Sequence, residues 1–256
     1  MIVLTAVTGC GDKPETPQRA MPPPVNGAFD YQLGGGYVPA DDVVVLSRDR
    51  NDEPDPDRYN ICYVNGFQTQ PDEADLWLGD HPDLLLRDAA GSPLVDSEFP
   101  DEYILDTTSA KSRRQLALIV GEWIDGCAAD GFQAVEVDNL DTYSRFPQLN
   151  ADAAVEYIRS LADRAHAAGL AIGQKNSAEL LARRPQTQLD FAVVEQCNEF
   201  DECGEFTDAY GEHVYVIEYE RSAFDTGCAE FPMLSIVFRD LELSTPGSLA
   251  YLHESC

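Results

Sequence analysis

The sequence predicts an α/β fold: a single TIM-type (β/α)8 barrel with an irregular N-terminal third. Nine short apolar segments recur along the chain, and several are β-branched and almost continuously apolar, as is typical of parallel strands buried on both faces. From residue 102 onward these segments alternate with helix-like segments, which indicates parallel α/β architecture. Polar residues end the later segments, and a parallel barrel would gather them on one face.

The candidate strands are defined by their apolar runs. In chain order they are 29–33 (FDYQL), 43–47 (VVVLS), 59–64 (YNICYV), 102–106 (EYILD), 134–138 (AVEVD), 170–174 (LAIGQ), 191–195 (FAVVE), 214–218 (VYVIE) and 234–238 (LSIVF). Eight strands close a barrel of this type, so one segment is extra or misread. The connections between the first three are too short for crossover helices, and we expect irregular structure there.

Apolar positions with a 3.6-residue period predict the helices between the later strands. Asn150 is a suitable N-cap for one of them, and Gly169 a suitable end. Another begins at the capping Ser177 and ends before Pro185. The predicted helical segments are 109–131, 150–169 and 177–185.

The composition is strongly acidic, with 46 acidic residues against 17 basic ones and a net charge of −29. Such a field repels nucleic acid and anionic lipid surfaces and attracts polycations. A solvated acidic surface that maintains solubility explains the charge equally well. The sequence therefore predicts no nucleic-acid partner.

The first 28 residues do not have the pattern of a folded domain. Residues 7–10 (VTGC) look like a bacterial lipobox with Cys10 as the lipidated residue, although the basic region of a normal signal peptide is missing. We expect the Pro-rich residues 11–28 to form a tether to a barrel domain at 29–256. We expect an extracellular or cell-surface monomer that contacts a membrane only through Cys10. A chance resemblance to a lipobox is the alternative.

Six further cysteines suggest three disulfides, because an even number in an exported protein indicates a disulfide framework. Six cysteines allow 15 pairings, and only Cys197 with Cys203 is indicated by proximity, across a short polar loop. Buried free thiols in a cytosolic enzyme are the alternative. No CxxC or paired-His spacing is present, so the sequence predicts no metal and no cofactor.

Polar side chains end each later strand of the predicted barrel. Because the carboxyl ends of parallel strands meet on one face, these residues are expected to form the active-site rim. In strand 134–138, Glu136 and Asp138 both face the interior, with Asp138 nearer the mouth. The rim residues are Asp106, Asp138, Asn139, Gln174, Lys175, Asn176, Glu195, Gln196, Glu218, Tyr219, Arg239 and Asp240.

Asp138 and Glu195 end strands that lie two positions apart in barrel order. Two carboxylates across one rim are what glycoside hydrolysis requires, and crowding with partial burial raises the pKa of one of them. Helix capping or ion pairing are the structural alternatives for any one acid. A hard-cation site at Asp138, Asn139 and Asp141 is a further alternative, since these residues offer only oxygen ligands.

Lys175 is the one basic residue among the rim acids of the central strands. It suits the Schiff-base chemistry of barrel aldolases, but an ion pair with a rim acid or a contact with a sugar hydroxyl is the favoured interpretation. Four tyrosines beside strand ends suit stacking on sugar rings or filling of the core: Tyr31, Tyr63, Tyr143 and Tyr219.

Seven motifs carry a resemblance to a known family. YQLGG, ICYVNG, DEYILD, GFQAVEVDNLDTY, AIGQKN, VVEQCNEFDEC and VIEY occur in this order over about residues 29–220. Together they resemble family 114 of the glycoside hydrolases, the endo-α-1,4-polygalactosaminidases. The resemblance implies a TIM-type barrel that cleaves α-1,4-linked galactosamine polymers, including partly deacetylated ones.

The resemblance also implies roles for individual residues. The catalytic Asp of the family falls on Asp138 and its second carboxylate on Glu195; we expect a retaining scheme with Asp138 as nucleophile and Glu195 as general acid/base. The sequence departs from the family pattern at residues 47–49 (SRD) and 64–66 (VNG), which affects the outer subsites. The expected substrate-binding residues are Tyr31, Gln32, Tyr63, Asp106, Asn139, Asp141, Tyr143, Lys175, Asn176, Glu218 and Tyr219.

A deacetylated galactosamine polymer is cationic, so the net charge of −29 would attract it over long range. The expected partner is therefore a cationic amino-sugar polysaccharide, cleaved within the chain. Two other functions remain open at this stage: a lipoprotein that captures the polymer without cleaving it, and a barrel lyase or aldolase that acts through Lys175.

Overall fold

A computed structural model describes residues 20–256 and confirms the barrel. Eight parallel strands follow one another in sequence order, and β1 lies beside β8, so the sheet nearly closes on itself. Gly27 N–H donates to Ser235 Oγ across this junction (3.2 Å). The strands are β1 (Ala28–Tyr31), β2 (Val43–Asp49), β3 (Tyr59–Asn65), β4 (Ala134–Asp138), β5 (Ala171–Lys175), β6 (Phe191–Glu195), β7 (Val214–Glu218) and β8 (Ser235–Arg239).

The predicted strand 102–106 is wrong. Ile104 and Leu105 are buried, but they form only isolated antiparallel bridges, to Gln68 and Leu85 respectively. All these residues belong to one long connection, residues 66–109, so the apolar run reflects packing within that connection rather than a place in the barrel. A ninth strand that the sequence did not predict, β9 (His253–Ser255), pairs antiparallel with β8.

Seven α-helices surround the described part of the barrel. Residues 32–42 and 50–58 connect the first three strands without a helix, as predicted. The predicted helix 177–185 differs in form: Ala178–Arg183 is a 3₁₀ helix, and Pro185 lies in the first turn of the α-helix that follows it. The helices are α1 (Ala74–Asp80), α2 (Ala110–Asp130), α3 (Thr142–Arg145), α4 (Ala151–Ala167), α5 (Arg184–Thr187), α6 (Cys203–Tyr210) and α7 (Arg221–Glu230).

The barrel interior is apolar at its floor and polar above. The rings of Phe29 and Phe191 each meet Tyr215 edge-on, at 5.6 and 5.9 Å. Gly173 makes room for Phe191, since a Cβ at this position would lie 2.6 Å from that ring. Above this layer Glu136 is fully buried, which places a carboxylate directly under the mouth of the barrel.

Three disulfides join the six cysteines: Cys62–Cys127, Cys197–Cys203 and Cys228–Cys256. The predicted pairing of Cys197 with Cys203 is confirmed. The first bridge fixes β3 to α2, and the third fixes α7 to the chain end beside β9. Disulfides of this number are typical of secreted proteins.

We expect the disulfides to differ in their contribution to stability, because cross-linking a longer loop removes more entropy from the unfolded chain. The bridges span 65, 28 and 6 residues. Replacing Cys62 and Cys127 by Ala should lower the free energy of unfolding by about 4 kcal/mol, against about 2 kcal/mol for Cys197 and Cys203. Urea denaturation of both double variants measures this, and an equal loss would contradict it.

The chain reaches the barrel from beneath the floor. Tyr59 OH donates to Met21 O (2.6 Å) and Tyr215 OH donates to Pro23 O (2.7 Å). Residues 20–27, the last part of the predicted tether, therefore contact the barrel. The predicted lipobox at 7–10, with Cys10, lies outside the described residues. Of the helices described, none combines the length and apolarity needed to span a membrane.

Candidate active site

The carboxyl ends of the strands open into a cleft of about 670 Å³. The period-two alternation of a strand brings inward-facing residues from neighbouring strands together at this end. Glu195 follows Asp138 by two strands, as predicted, because β5 lies between β4 and β6. Nine of the predicted site residues line the cleft: Tyr31, Tyr63, Asp138, Asn139, Asp141, Lys175, Asn176, Glu195 and Tyr219.

Lys175 joins the two predicted catalytic acids at the centre of the cleft. Its Nζ lies 3.2 Å from Asp138 Oδ2 and 3.0 Å from Glu195 Oε2. These two oxygens therefore cannot be farther apart than the sum of the two distances, 6.2 Å. The ammonium group lies between the two carboxyl groups, and its positive charge offsets the repulsion that would otherwise oppose their close approach.

Asp138 is held by two further donors besides its ion pair. Tyr63 OH donates to Oδ2 (2.8 Å), and the backbone N–H of Asn139 donates to Oδ1 (2.7 Å). Asn139 has a left-handed backbone (φ 63°), a conformation that Asn tolerates better than most residues. Burial opposes ionisation, but the charge of Lys175 and these hydrogen bonds outweigh it and lower the pKa of Asp138. The group is therefore an ionised carboxylate at neutral pH.

Glu195 is oriented by two neighbouring side chains. Tyr219 OH donates to its Oε1, and Asn176 Nδ2 donates to its Oε2 (3.3 Å). Asn176 also accepts the backbone N–H of Glu195 at its Oδ1 (2.8 Å), so one amide fixes both ends of the residue. The Cys197–Cys203 bridge closes the loop that follows immediately.

Lys175 is buried and ion-paired. Both features bear on the alternative in which its amine acts as the nucleophile of a lyase or aldolase. Burial alone lowers a lysine pKa, but Asp138, Glu195 and Glu136 outweigh it and raise the pKa of Lys175 well above its ordinary value. A protonated amine has no lone pair for attack on a carbonyl, so this environment does not suit Schiff-base formation. The side chain instead organises the two acids.

Glu136 forms a third carboxylate, one layer below the pair. Tyr31 OH donates to its Oε1 (2.6 Å) and Ser47 OH donates to its Oε2 (2.8 Å). Complete burial raises the pKa of Glu136 to about 7, although Lys175 and the two hydroxyl groups oppose the increase. Glu136 lies beneath the cleft lining and supports Tyr31, whose ring is 5.7 Å from Lys175 Nζ.

Two predicted residues lie outside the cleft because they face outward from their strands. Gln32 follows the inward-facing Tyr31, and its amide bridges Asp30 Oδ2 (2.7 Å) and Arg48 Nε (2.9 Å) in a buried polar cluster. Glu218 precedes the inward-facing Tyr219 and accepts from Asn198 N–H (2.9 Å) outside the barrel. Both side chains are fully buried.

Asp106 and Tyr143 also lie away from the cleft lining. Asp106 accepts the backbone N–H of Thr108 (2.8 Å) in the turn before α2. Tyr143, on the short helix α3, packs against buried apolar residues. The structure thus gives both residues local packing or turn contacts, and their predicted contact with substrate has no support from their position.

Several residues that line the cleft were not predicted from the sequence. Glu98, Phe99 and Glu102 come from the long connection 66–109, Arg145 comes from α3, and residues 241–243 follow β8. None of them ends a parallel strand, so the strand-end rule could not find them. Phe99 carried a weak signal, as an aromatic residue in an acidic loop, and it is 58% exposed.

Protein donors contact all three residues of the predicted hard-cation alternative. Asp138 accepts from Tyr63 and Lys175, while Asn139 and Asp141 each accept from Arg145, at 3.0 and 3.1 Å. A hard cation would have to compete with these donors for the same oxygen atoms. Elsewhere in the described chain, Cys197, Cys203 and Glu218 have the spacing of metal ligands, but the two sulfur atoms are bonded to each other.

Comparisons with known proteins agree with this architecture. Residues 12–256 match the sequence profile of glycoside-hydrolase family GH114, and no curated protein sequence matches. The crystal structure of Ega3 from Aspergillus fumigatus in complex with galactosamine has a TM-score of 0.71 at 19% identity, over 97% of this chain and 100% of that one. The glycoside hydrolase domain of PelA from Pseudomonas aeruginosa has a TM-score of 0.58 at 14% identity, over 89% and 97%.

Proposed function

The chain belongs to glycoside hydrolase family GH114, and we propose that it is an endo-acting, retaining hydrolase of α-1,4-linked galactosamine polymers. The observation that carries this proposal is the ion-paired triad of Asp138, Lys175 and Glu195 in an open cleft. A cleft that is open to solvent can hold a polymer on both sides of the cleaved bond, which suits attack within the chain.

The roles follow from the surroundings of each acid. Asp138 has a lowered pKa, so it is ionised and suits attack on the anomeric carbon. Glu195 is bonded by Tyr219 and Asn176 at the facing wall and suits protonation of the leaving oxygen. In the second step Glu195 takes a proton from water, which then releases the sugar from Asp138.

The carboxyl separation supports retention of configuration. Retaining enzymes hold the two carboxyl groups about 5–5.5 Å apart, and inverting enzymes about 6.5–9.5 Å apart to admit a water molecule. The limit of 6.2 Å set by Lys175 on the nearest oxygens is below the inverting range. Lys175 would leave the line between the acids when a sugar enters, and its three N–H donors then suit a sugar hydroxyl.

The substrate class rests on family membership, on charge, and on the galactosamine bound to Ega3. A polymer with free amino groups is cationic at neutral pH, and the net charge of −29 favours its approach. The disulfides fit an exported protein that meets such a polymer outside the cell. Lipid attachment at Cys10 remains a sequence-based proposal.

The test is incubation of the purified protein with partly deacetylated α-1,4-polygalactosamine. New reducing ends, a rapid fall in polymer length and an α-anomeric first product are expected for endo-acting retention. A β-anomeric product would contradict retention, and release of single sugars from an otherwise intact polymer would contradict endo action. Binding without any cleavage would favour the capture function instead.

A further inference from the structure

One carboxylate in the cleft takes no part in the proposed chemistry. Glu102 lies in the connection 66–109 and lines the same cleft as Asp138. It has no cationic partner among residues 20–256: Lys175 pairs with the catalytic acids, and Arg145 pairs with Asp96 and Asp141. Burial, with the charges of Asp138 and Asp96, raises the pKa of Glu102, so its charge lacks compensation within the protein.

Two amide side chains fix the orientation of this carboxylate. Gln68 Nε2 and Asn65 Nδ2 both donate to Glu102 Oε2, at 2.9 and 3.2 Å. Within the described chain no donor contacts Oε1. One oxygen is therefore held by the protein, and the other is left for a partner in the cleft.

The two amides are oriented in turn by Arg145. Its NH2 group donates to Gln68 Oε1 (2.9 Å) and to Asn139 Oδ1 (3.0 Å), and Asn139 Nδ2 donates to Asn65 Oδ1 (3.1 Å). Because Arg145 can only donate and Glu102 can only accept, each amide has one possible orientation. This network continues to Asn139, whose backbone N–H holds the nucleophile Asp138.

We propose that Glu102 is a specificity-determining residue that binds the free ammonium group of an amino sugar beside the cleavage point, and so selects a deacetylated unit there. The inference rests on the proposed function. A fixed, unpaired carboxylate oxygen in a partly dehydrated cleft suits a charged N–H donor, and charge-assisted hydrogen bonds are the stronger ones. An N-acetyl group at the same place has no charge and adds bulk. Phe99 is exposed and lines the same cleft, so it adds an apolar face to the lining.

The test measures the activity of the full-length protein on two defined oligomers of α-1,4-linked sugars. One oligomer consists of galactosamine and the other of N-acetylgalactosamine. Glu102→Gln keeps the shape and one acceptor for Asn65 and Gln68. It should lower kcat/KM for the deacetylated oligomer by about tenfold to 100-fold. The kcat/KM for the acetylated oligomer should change by less than about threefold. Glu102→Asp keeps the charge but shortens its reach, and an intermediate loss is expected.

Asp101→Asn is the matched control, because it removes a carboxylate charge from the neighbouring position, which is exposed, lies outside the cleft lining and has no described side-chain hydrogen bond. An equal loss in Asp101→Asn, removed by added salt, would show a general field effect and overturn the inference. So would an unchanged ratio between the two oligomers in Glu102→Gln.

A binding measurement separates this inference from the proposed function. Calorimetric titration with galactosamine and with N-acetylgalactosamine should show a preference for the amine that Glu102→Gln removes. If the wild type shows that preference but cleaves neither oligomer, the proposed function fails and the role of Glu102 stands. If the wild type cleaves polymer and Glu102→Gln keeps the preference, the role of Glu102 fails alone.

Discussion

Asp138→Asn and Glu195→Gln are each expected to lower the rate of polymer cleavage by about 10³- to 10⁵-fold, with the barrel still folded. Each change replaces a carboxyl group by an uncharged amide and keeps the shape of the side chain. In the proposed mechanism, the first change removes the nucleophile for the anomeric carbon, and the second removes the proton donor for the departing oxygen. Reducing-end assays measure the rate, and circular dichroism with thermal unfolding checks the fold.

Azide can distinguish the two roles. In Asp138→Ala, azide takes the place of the nucleophile and should give a β-glycosyl azide from an activated α-glycoside, because it attacks opposite the leaving group. In Glu195→Ala, azide attacks the sugar bound to Asp138 and should give the α-azide. The opposite outcome would exchange the assigned roles.

Asp208→Asn and Glu205→Gln serve as matched controls for these variants. Both acids are exposed on α6, away from the cleft lining, and the same charge changes there should leave the rate within about twofold, since surface substitutions have small effects. A wild-type rate in Asp138→Asn would show that another group is the nucleophile.

Lys175→Met should produce the second large effect, on both stability and pH dependence. Removing the ammonium group leaves Asp138 and Glu195 facing each other without compensation, which should lower the free energy of unfolding at pH 7 by about 3–5 kcal/mol. The pKa of Asp138 should rise once its attraction to Lys175 is lost. The acid limb of kcat/KM should therefore move to higher pH, and a pH-rate profile measures the shift.

The sign of the stability effect is also testable. In Lys175→Met burial is no longer opposed by the ammonium charge, so the folded-state pKa of Asp138 should lie above its unfolded value and ionisation of this acid should oppose folding at neutral pH. The deficit should shrink as pH falls and Asp138 takes up a proton. Lys111→Met, an exposed lysine on α2, should show no such deficit. An equal deficit at pH 4 and pH 7 would contradict the electrostatic cause.

Lys175→Arg separates the two chemical roles of the residue. Arg keeps the charge but cannot form a Schiff base, so residual hydrolysis in this variant is expected for a carboxylate mechanism. Complete loss of activity, together with a borohydride-trapped adduct at Lys175 in the wild type, would support the lyase alternative.

The strand-end rule explains which site residues the sequence predicts and which it misses. Asp138, Lys175 and Glu195 are the last residues of β4, β5 and β6, and their parity directs them inward. Gln32 and Glu218 also lie at the carboxyl ends of strands, β1 and β7, but they alternate with the inward-facing residues Tyr31 and Tyr219. Both therefore face outward. A rule based on strand ends alone cannot separate the two groups; the register of each strand must also be known.

The connection 66–109 shows where sequence patterns are insufficient. Its segment 102–106 has the apolar content of a strand, yet Ile104 pairs with another part of the same connection. Contacts of this kind leave no short-range period in the sequence. The sequence therefore could not show that segment 102–106 lies outside the barrel, nor that Glu102 lines the cleft. Strand β9 was not predicted for a different reason, because its three residues have no apolar pattern.

The entry of the chain beneath the floor has a consequence for orientation. Tyr59 and Tyr215 fix residues 21 and 23 at the amino-terminal ends of β3 and β7, and the cleft opens at the other pole. Residue 20, the first that the structure describes, therefore lies at the pole opposite the cleft mouth. A surface bound at that pole would leave the mouth uncovered, so that a long polymer strand could enter the cleft while the protein stays bound.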